Sequence, residues 1–508
     1  MSSYVLHRPF YVPTKDGAVW AITFTTYGGT ILTAGISVIL TLIFVGLWDL
    51  ICFIAIVSSR ATTRRRHVAL VTLWNSNDSW FAFKELAKYT LQFFGSTPDF
   101  VYGLIFCSLA FIIYGGGLSL GIVGPSLLQV GTVAPARPSA VYWPFSTNNE
   151  NDTVNILQGI GILAPAFIRA LGSVDASLGS RGENVKVDGP IPVVNAGINS
   201  IETIYQYNYT YSLTGVDLGL QHGSDLSLTA TGSCITEYGW IVNATHPKND
   251  RDTYYPWNYT IWNQTVPITN DTIQDAPKAV FLLHPDASTQ YGETGNISFA
   301  ILPWTAHRTS IKQSNDPWYT TETRRAPFPP PVETAIFWIK RARPALSCWQ
   351  KDVWRYGSTT VTNVSGLKNI TGIKVKPSLL AVLELAVAVP VLYNLGSTVA
   401  ISSLKSATVN TFGVINAETS SILDDLTRLV FASFVYTRNV YLDTTMYESK
   451  TGLANALDTN GEPADGLGDF VLSSPNFQSF SMVGMIVLLV LLITLFTTNF
   501  LLQRMLRL

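Results

Sequence analysis

Three stretches of this chain stay apolar for as long as a helix needs to cross the hydrocarbon core of a bilayer, about 20 residues, and nothing else in the sequence restricts the fold as much. Lipid offers no partner for a backbone amide, so such a run must be helical along its whole length. The first run, 30–57, reads ILTAGISVILTLIFVGLW, then Asp49, then LICFIAIV. The second, 101–124, is free of charge and is expected to end at Pro125, because proline cannot continue the hydrogen-bond ladder. The third, 482–502, contains MIVLLVLLITLF before Gln503 and Arg504. A fourth run, 377–401, is long enough but carries Glu384 near its middle and then Pro390. An acidic residue at mid-membrane costs roughly 2.5–3.5 kcal/mol, so this run is expected to be a buried helix of a folded domain.

Basic residues orient the three spans. Arg60, Arg64, Arg65, Arg66, Lys84 and Lys88 lie in the connection 58–100, against Arg8 and Lys15 in the segment 1–29. The basic loop 58–100 is therefore expected in the cytosol. This puts 1–29 outside as a tail, 125–481 outside as a large domain, and 503–508 inside. The first run exceeds the 7–15 apolar residues of a cleavable signal and is expected to anchor the chain.

Glycan acceptor sites give an independent signal, since Asn-x-Ser/Thr is modified only on the lumenal side. Nine such sites lie between 151 and 371: Asn151, Asn208, Asn243, Asn258, Asn263, Asn270, Asn296, Asn363 and Asn369. Another, Asn77, falls in the loop assigned to the cytosol and is expected to be empty. Cys234 and Cys348 are the only cysteines outside the spans and are expected to form a disulfide in this compartment. The pair Arg324-Arg325, followed by a Pro-rich stretch from Ala326, is a site where a secretory protease could cut.

The outer region reads as α+β and β-rich. In TIYQYNYTYSL the residues Tyr205, Tyr207, Tyr209 and Tyr211 alternate with Gln206, Asn208 and Thr210, which is a strand with Asn208 on its polar face. In NISFAIL, Ile297, Phe299 and Ile301 share an apolar face opposite Asn296. The short apolar runs at Ala279 and Ala335 suggest buried strands. Beyond about residue 372 the pattern turns helical: Ser420 is expected to cap a helix with Leu426, Leu429 and Val430 on one face and an Asp424–Arg428 pair on the other. The Pro-rich stretch at Ala326 is the best internal boundary.

Composition excludes whole classes of function. Lys and Arg total 33 against 34 Asp and Glu, so no basic excess exists to hold nucleic acid. Gly117-Leu118-Ser119-Leu120-Gly121 matches a nucleophile elbow, but inside a span with no ionisable residue it reads as a surface that lets helices approach, with oligomers as one use. Gly159 to Ala164 matches a dinucleotide fingerprint; Pro165 follows at once, and a tight turn is expected. The six histidines show no metal-ligand spacing, and the acidic loop from Asp458 has proline where an EF-hand needs glycine. No metal or cofactor is implied. In 80–94 the residues Trp80, Phe83, Ala87, Leu91 and Phe94 recur at helical spacing, fitting an interfacial helix or one packed under the spans.

Thr14-Lys15-Asp16-Gly17-Ala18 before the first span, Trp48-Asp49-Leu50-Ile51-Cys52-Phe53 at its inner end, and His67 with Trp74-Asn75-Ser76 beyond it resemble a large group of uncharacterised multi-pass membrane proteins of filamentous fungi. The resemblance implies a fungal source and no established chemistry; some such proteins look like accessory membrane components of secondary-metabolite gene neighbourhoods. The sequence as a whole is read as a non-enzymatic glycoprotein of the plasma membrane or secretory pathway. Its outer domain is expected to bind a wall glycan or a protein. A membrane-tethered lumenal enzyme is the alternative, and it requires converging carboxylates or a nucleophile beside a base.

Overall fold

The computed structural model describes residues 2–58, 64–76, 78–95, 97–142, 153–193, 203–242, 251–258, 263–267, 276–287, 289, 295–324, 336–399, 403–407, 414–446 and 456–507. They form two compact units: Tyr4–Pro135 with Val471–Leu508, and Ala136–Phe470 with Met1–Ser3.

In the first unit the three apolar runs are the long helices Thr26–Ser58, Thr97–Leu128 and Met482–Arg507. Each contains a stretch long and apolar enough to cross a membrane: Thr26–Val57, Pro98–Leu128 and Met482–Arg504. Pro125 does not end the second run. It lies inside the last turn, and the helix continues to Leu128, which packs among Phe24, Leu32 and Met485 beside the buried Phe480. That burial outweighs one lost backbone bond. The glycines of the second helix face the first: a Cβ at Gly117 would meet the Phe44 side chain at 3.1 Å, and one at Gly124 a Leu40 methyl at 2.4 Å. At Gly117 and Gly124 the missing side chains let the two helices approach closely inside the chain. Asn499 of the third helix donates to the Gly46 carbonyl at 2.8 Å, a polar clamp between two apolar helices.

The loop between the first two long helices is itself helical, over Arg64–Asn75 and Ser79–Gln92. Trp80 stacks on Tyr114 with centroids 4.8 Å apart and Phe83 meets Phe111 at 5.3 Å. Trp80 and Phe83 thus pack against the second long helix, while Leu91 and Phe94 of the same segment stay exposed. Trp48, Leu73, Leu86 and Ala110 share the resulting core, and Arg66 reaches Asp99 at 3.4 Å. The segment expected as an outer tail is ordered: Pro9–Thr14 and Gly17–Thr25 form a hairpin. Phe477–Ser481 and Gln129–Gly131 extend it to a four-stranded antiparallel sheet. A separate pair joins Val133–Pro135 to Val471–Ser473.

The second unit is built on a seven-stranded antiparallel sheet. Its order is Lys278–Leu283, Asn296–Trp304, Ala345–Tyr356, Leu226–Glu237, Tyr205–Thr214, Val185–Pro192, with Thr359–Val361 beside Ala345–Tyr356. Tyr207, Tyr209, Tyr211 and Leu213 are buried on one face, as the alternation predicted, with Asn208 on the other. Helices cover the buried face. Phe434 of Ile422–Arg438 meets Tyr211, Phe167 of Thr153–Gly172 lies 4.5 Å from Tyr436, and Gly396 of Val391–Thr398 sits against the Phe281 ring. Strands under helices make this unit α+β and β-rich. Cys234 and Cys348 face each other in the central strand pair and are bonded, with Cα atoms 4.1 Å apart.

Several local expectations are corrected. Residues 159–164 are helix, not a tight turn, because Leu163, Ala166, Phe167 and Ala170 bury one side and packing outweighs the cost of two glycines. The cap of Ile422–Arg438 is Ser421, one residue later than expected, and Asp424 pairs with Lys405 at 2.9 Å in place of Arg428. Strands Thr321–Arg324 and Ile336–Ile339 pair with each other, so the Pro-rich stretch joins two strands of one sheet and bounds no domain. Residues 325–335 lie outside the described residues, as do Asn77, Asn151, Asn243 and Asn270. Asn296–Trp304 is buried on both faces, since Ala300 and Leu302 pack with Trp240, Tyr254 and Val266 on the side assigned to solvent. The run 377–401 is two short helices, Pro377–Ala386 and Val391–Thr398, bent by 56° and packed through Leu379, Leu383, Leu392 and Leu395.

Candidate functional site

On the helix-covered face of Ala345–Tyr356 the alternate positions are Cys348, Gln350, Asp352 and Trp354. Two polar side chains thus stand where neighbouring strands present tyrosine, leucine and phenylalanine, and each needs a partner to offset its lost hydration. The partners form a relay. The Tyr209 hydroxyl donates to Gln350 Oε1 at 3.0 Å, and Gln350 Nε2 donates to Asp352 Oδ1 at 2.8 Å. Tyr209 is 2% exposed and Gln350 1%, so the bonds form out of water and hold the carboxyl in one orientation.

A glycine makes the relay possible. Gly232 lies directly opposite Tyr209, and a Cβ there would fall 2.2 Å from the Tyr209 ring and 2.3 Å from its hydroxyl oxygen. Gly232→Ala is therefore expected to push Tyr209 off Gln350 and to destabilise the unit by about 2–4 kcal/mol, combining overpacking with a lost buried hydrogen bond. A chemical-denaturation midpoint equal to that of the parent would contradict this.

The relay ends in a cavity of about 210 Å³ lined by Gln350, Asp352, Trp354, Thr362, Asn363, Ser365 and Glu384 together with Ile297, Val387 and Pro390. Burial raises the Asp352 carboxyl to about 6, against the pull of the Gln350 hydrogen bond. Glu384 is held differently: Lys368 Nζ lies 2.5 Å from its Oε2. The cavity thus combines one acid that changes protonation near neutrality with a second acid bound to a cation. At its rim Asn363 Oδ1 accepts from the Gly366 amide at 2.6 Å and caps a single helical turn.

Of the residues singled out in the sequence, Cys348 belongs to the same strand face, and Asn363 lines the cavity. Asn208, with its Oδ1 accepting from Gln206 at 2.8 Å, is on the opposite face of the sheet. Asn258, Asn263 and Asn369 are exposed elsewhere, and Asn296 is partly buried. Asp458 accepts the Asn460 and Glu462 amides at 2.8 and 3.0 Å, which closes the acidic loop on itself. Among the described residues no three metal-ligating side chains converge. Sequence reasoning treated Glu384 only as a cost to membrane insertion and passed over Gln350 and Asp352. Counted by twos from Cys348 the strand reads Cys-Gln-Asp-Trp, which puts the polar pair on the face of the disulfide but does not say whether that face is covered.

A family model described as a domain of unknown function, DUF8406, matches residues 164–472, more than half of the chain. The chain belongs to the DUF8406 family. No curated protein and no solved structure matches it. The DUF8406 region begins inside the helix Thr153–Gly172 and ends inside the strand Val471–Ser473. It includes the disulfide, the relay and every residue of the cavity.

Proposed function

We propose that the chain is a three-span glycoprotein of the plasma membrane or secretory pathway of a filamentous fungus, with its β-rich unit outward, and that this unit binds a wall glycan without altering it. The cavity carries the reading: two acids, two amides and hydroxyls around a small volume suit a sugar ring, whose hydroxyls each donate and accept. The basic loop, the run of acceptor sites and the three apolar helices support the orientation. Peptide mapping after deglycosylation is expected to find glycans at several of Asn208, Asn258, Asn263 and Asn369 and none at Asn77. A glycan at Asn77 would reverse the topology.

Binding is tested by calorimetry of the detergent-solubilised full chain with oligomers of glucose and of N-acetylglucosamine. Asp352→Asn keeps the shape of the side chain and replaces one acceptor; it is expected to weaken binding about tenfold, as for one charge-assisted hydrogen bond. An absence of heat with every oligomer would reject the glycan reading. The raised Asp352, in a cavity that also holds Glu384 paired with Lys368, favours a second reading, a glycoside-cleaving enzyme with Asp352 as general acid. Release of reducing ends that Asp352→Asn abolishes would put that reading in place of the first.

A further inference from the structure

We infer that the first and second long helices hold a sterol, in a groove of about 510 Å³ that runs between them. The inference rests on the membrane reading above. Val38, Leu42 and Val45 form one wall and Leu118 and Ile122 the other, all of them exposed. The floor includes Gly117 and Gly121, where the absence of side chains leaves a smooth surface.

One end of the groove is polar. Asp78, Ser79 and Tyr114 meet there. Asp78 Oδ1 accepts the Trp80 amide at 3.2 Å and so caps the helix Ser79–Gln92, while its second oxygen has no hydrogen bond among the described residues. The Tyr114 ring is fixed by its stack on Trp80, and its hydroxyl likewise has no hydrogen-bond partner among the described residues. A lipid hydroxyl placed between them would donate to the carboxylate and accept from the phenol, which uses its one donor and one of its acceptors. A phospholipid would set its phosphate against the Asp78 carboxylate, a like-charge contact.

Length selects further. Ser37 and Val45 mark the ends of the groove on the first helix, and the rise between them is about 12 Å at 1.5 Å per residue. An extended acyl chain overruns that distance, whereas a fused-ring body lies flat on a floor of glycines. The occupant is therefore a rigid ring lipid with one hydroxyl at the level of Asp78.

The test is photolabelling of the full chain in phosphatidylcholine nanodiscs with a diazirine-bearing sterol. Label is expected on peptides covering 37–45 and 113–122, displaced by unlabelled sterol. Leu118→Trp, which fills the groove from its lipid-facing wall, is expected to abolish it. Tyr114→Phe is expected to reduce it about fivefold, the equivalent of one hydrogen bond. Label elsewhere, label that Leu118→Trp leaves intact, or equal labelling of these peptides by a photoreactive phosphatidylcholine would overturn the proposal. Carbonate-resistant flotation of the same preparation separates the two readings: a chain that floats yet takes no sterol label refutes only this site, and a chain that does not float refutes the membrane reading.

Discussion

Cys234→Ala with Cys348→Ala is expected to lower the stability of the β-rich unit by about 4–5 kcal/mol, because the bond closes a loop with a sequence separation of 114 and removes that freedom from the unfolded chain. Domains of ordinary stability hold only about 5–15 kcal/mol in all. The variant is therefore expected to accumulate poorly and to unfold in mild denaturant. The position of the bond adds to the effect. It joins the two central strands of the sheet, two residues from Gln350, so fraying there would also release the Tyr209–Gln350–Asp352 relay. Tryptophan fluorescence during urea unfolding of the solubilised chain provides the measurement. A midpoint within error of the parent would show that the sheet holds its register without the bond.

Acidification is expected to stabilise the same unit. Asp425 is 1% exposed and accepts the Tyr319 hydroxyl, the Ser406 amide at 2.9 Å and the Ser406 hydroxyl at 3.2 Å. Burial raises it to about 6 from an ordinary 3.8, and these hydrogen bonds do not cancel the rise. Asp316, which accepts the Trp318 and Ile422 amides, is raised by burial to about 6 as well. A carboxyl whose pKa is higher folded than unfolded binds its proton more tightly in the folded state. Its contribution is therefore greatest below about pH 4, is lost as pH rises to about 6, and stays flat above. For Asp425 the difference of roughly two units amounts to about 3 kcal/mol. Asp424 works the other way: burial raises it, but hydrogen bonds from Ser421 and Lys405 leave it below its usual range. Its share is lost only toward the acid end. The melting temperature is expected to fall between pH 4.5 and pH 7, with a shallower slope in Asp425→Asn. A midpoint that rises over that interval would mean that the carboxyls ionise freely in the folded state.

Legibility in the sequence followed period and burial. The three long helices were readable because an apolar run of that length has few other outcomes, and the strand at Tyr205–Thr214 because its tyrosines recur every second residue on a half-covered face. Asn296–Trp304 was misread at its far end, where a second small sheet covers Ala300 and Leu302 and removes the alternation. The helix through Gly159 was missed because local propensity opposes it and only distant partners supply the burial. Gln350 and Asp352 escaped notice for a related reason. Nothing local in QKDVW distinguishes a polar pair aimed into a covered cavity from one facing water; the difference is made by Tyr209 and Gly232, more than a hundred residues earlier in the chain.

The pairing of Val133–Pro135 with Val471–Ser473 has a consequence for biosynthesis. The chain leaves the helical unit and re-enters it at two neighbouring strands, so everything between is an insertion whose ends already lie side by side. A ribosome therefore delivers the whole β-rich unit while the helical one is still unfinished. Until the last segment emerges, the hairpin at Pro9–Thr25 lacks the strand Phe477–Ser481, and the Gly46 carbonyl lacks Asn499. For that interval the first two long helices stand without the third, and a nascent chain truncated before Phe477 would display to quality control an unpaired strand edge and a bare helical flank, however well the inserted unit had folded.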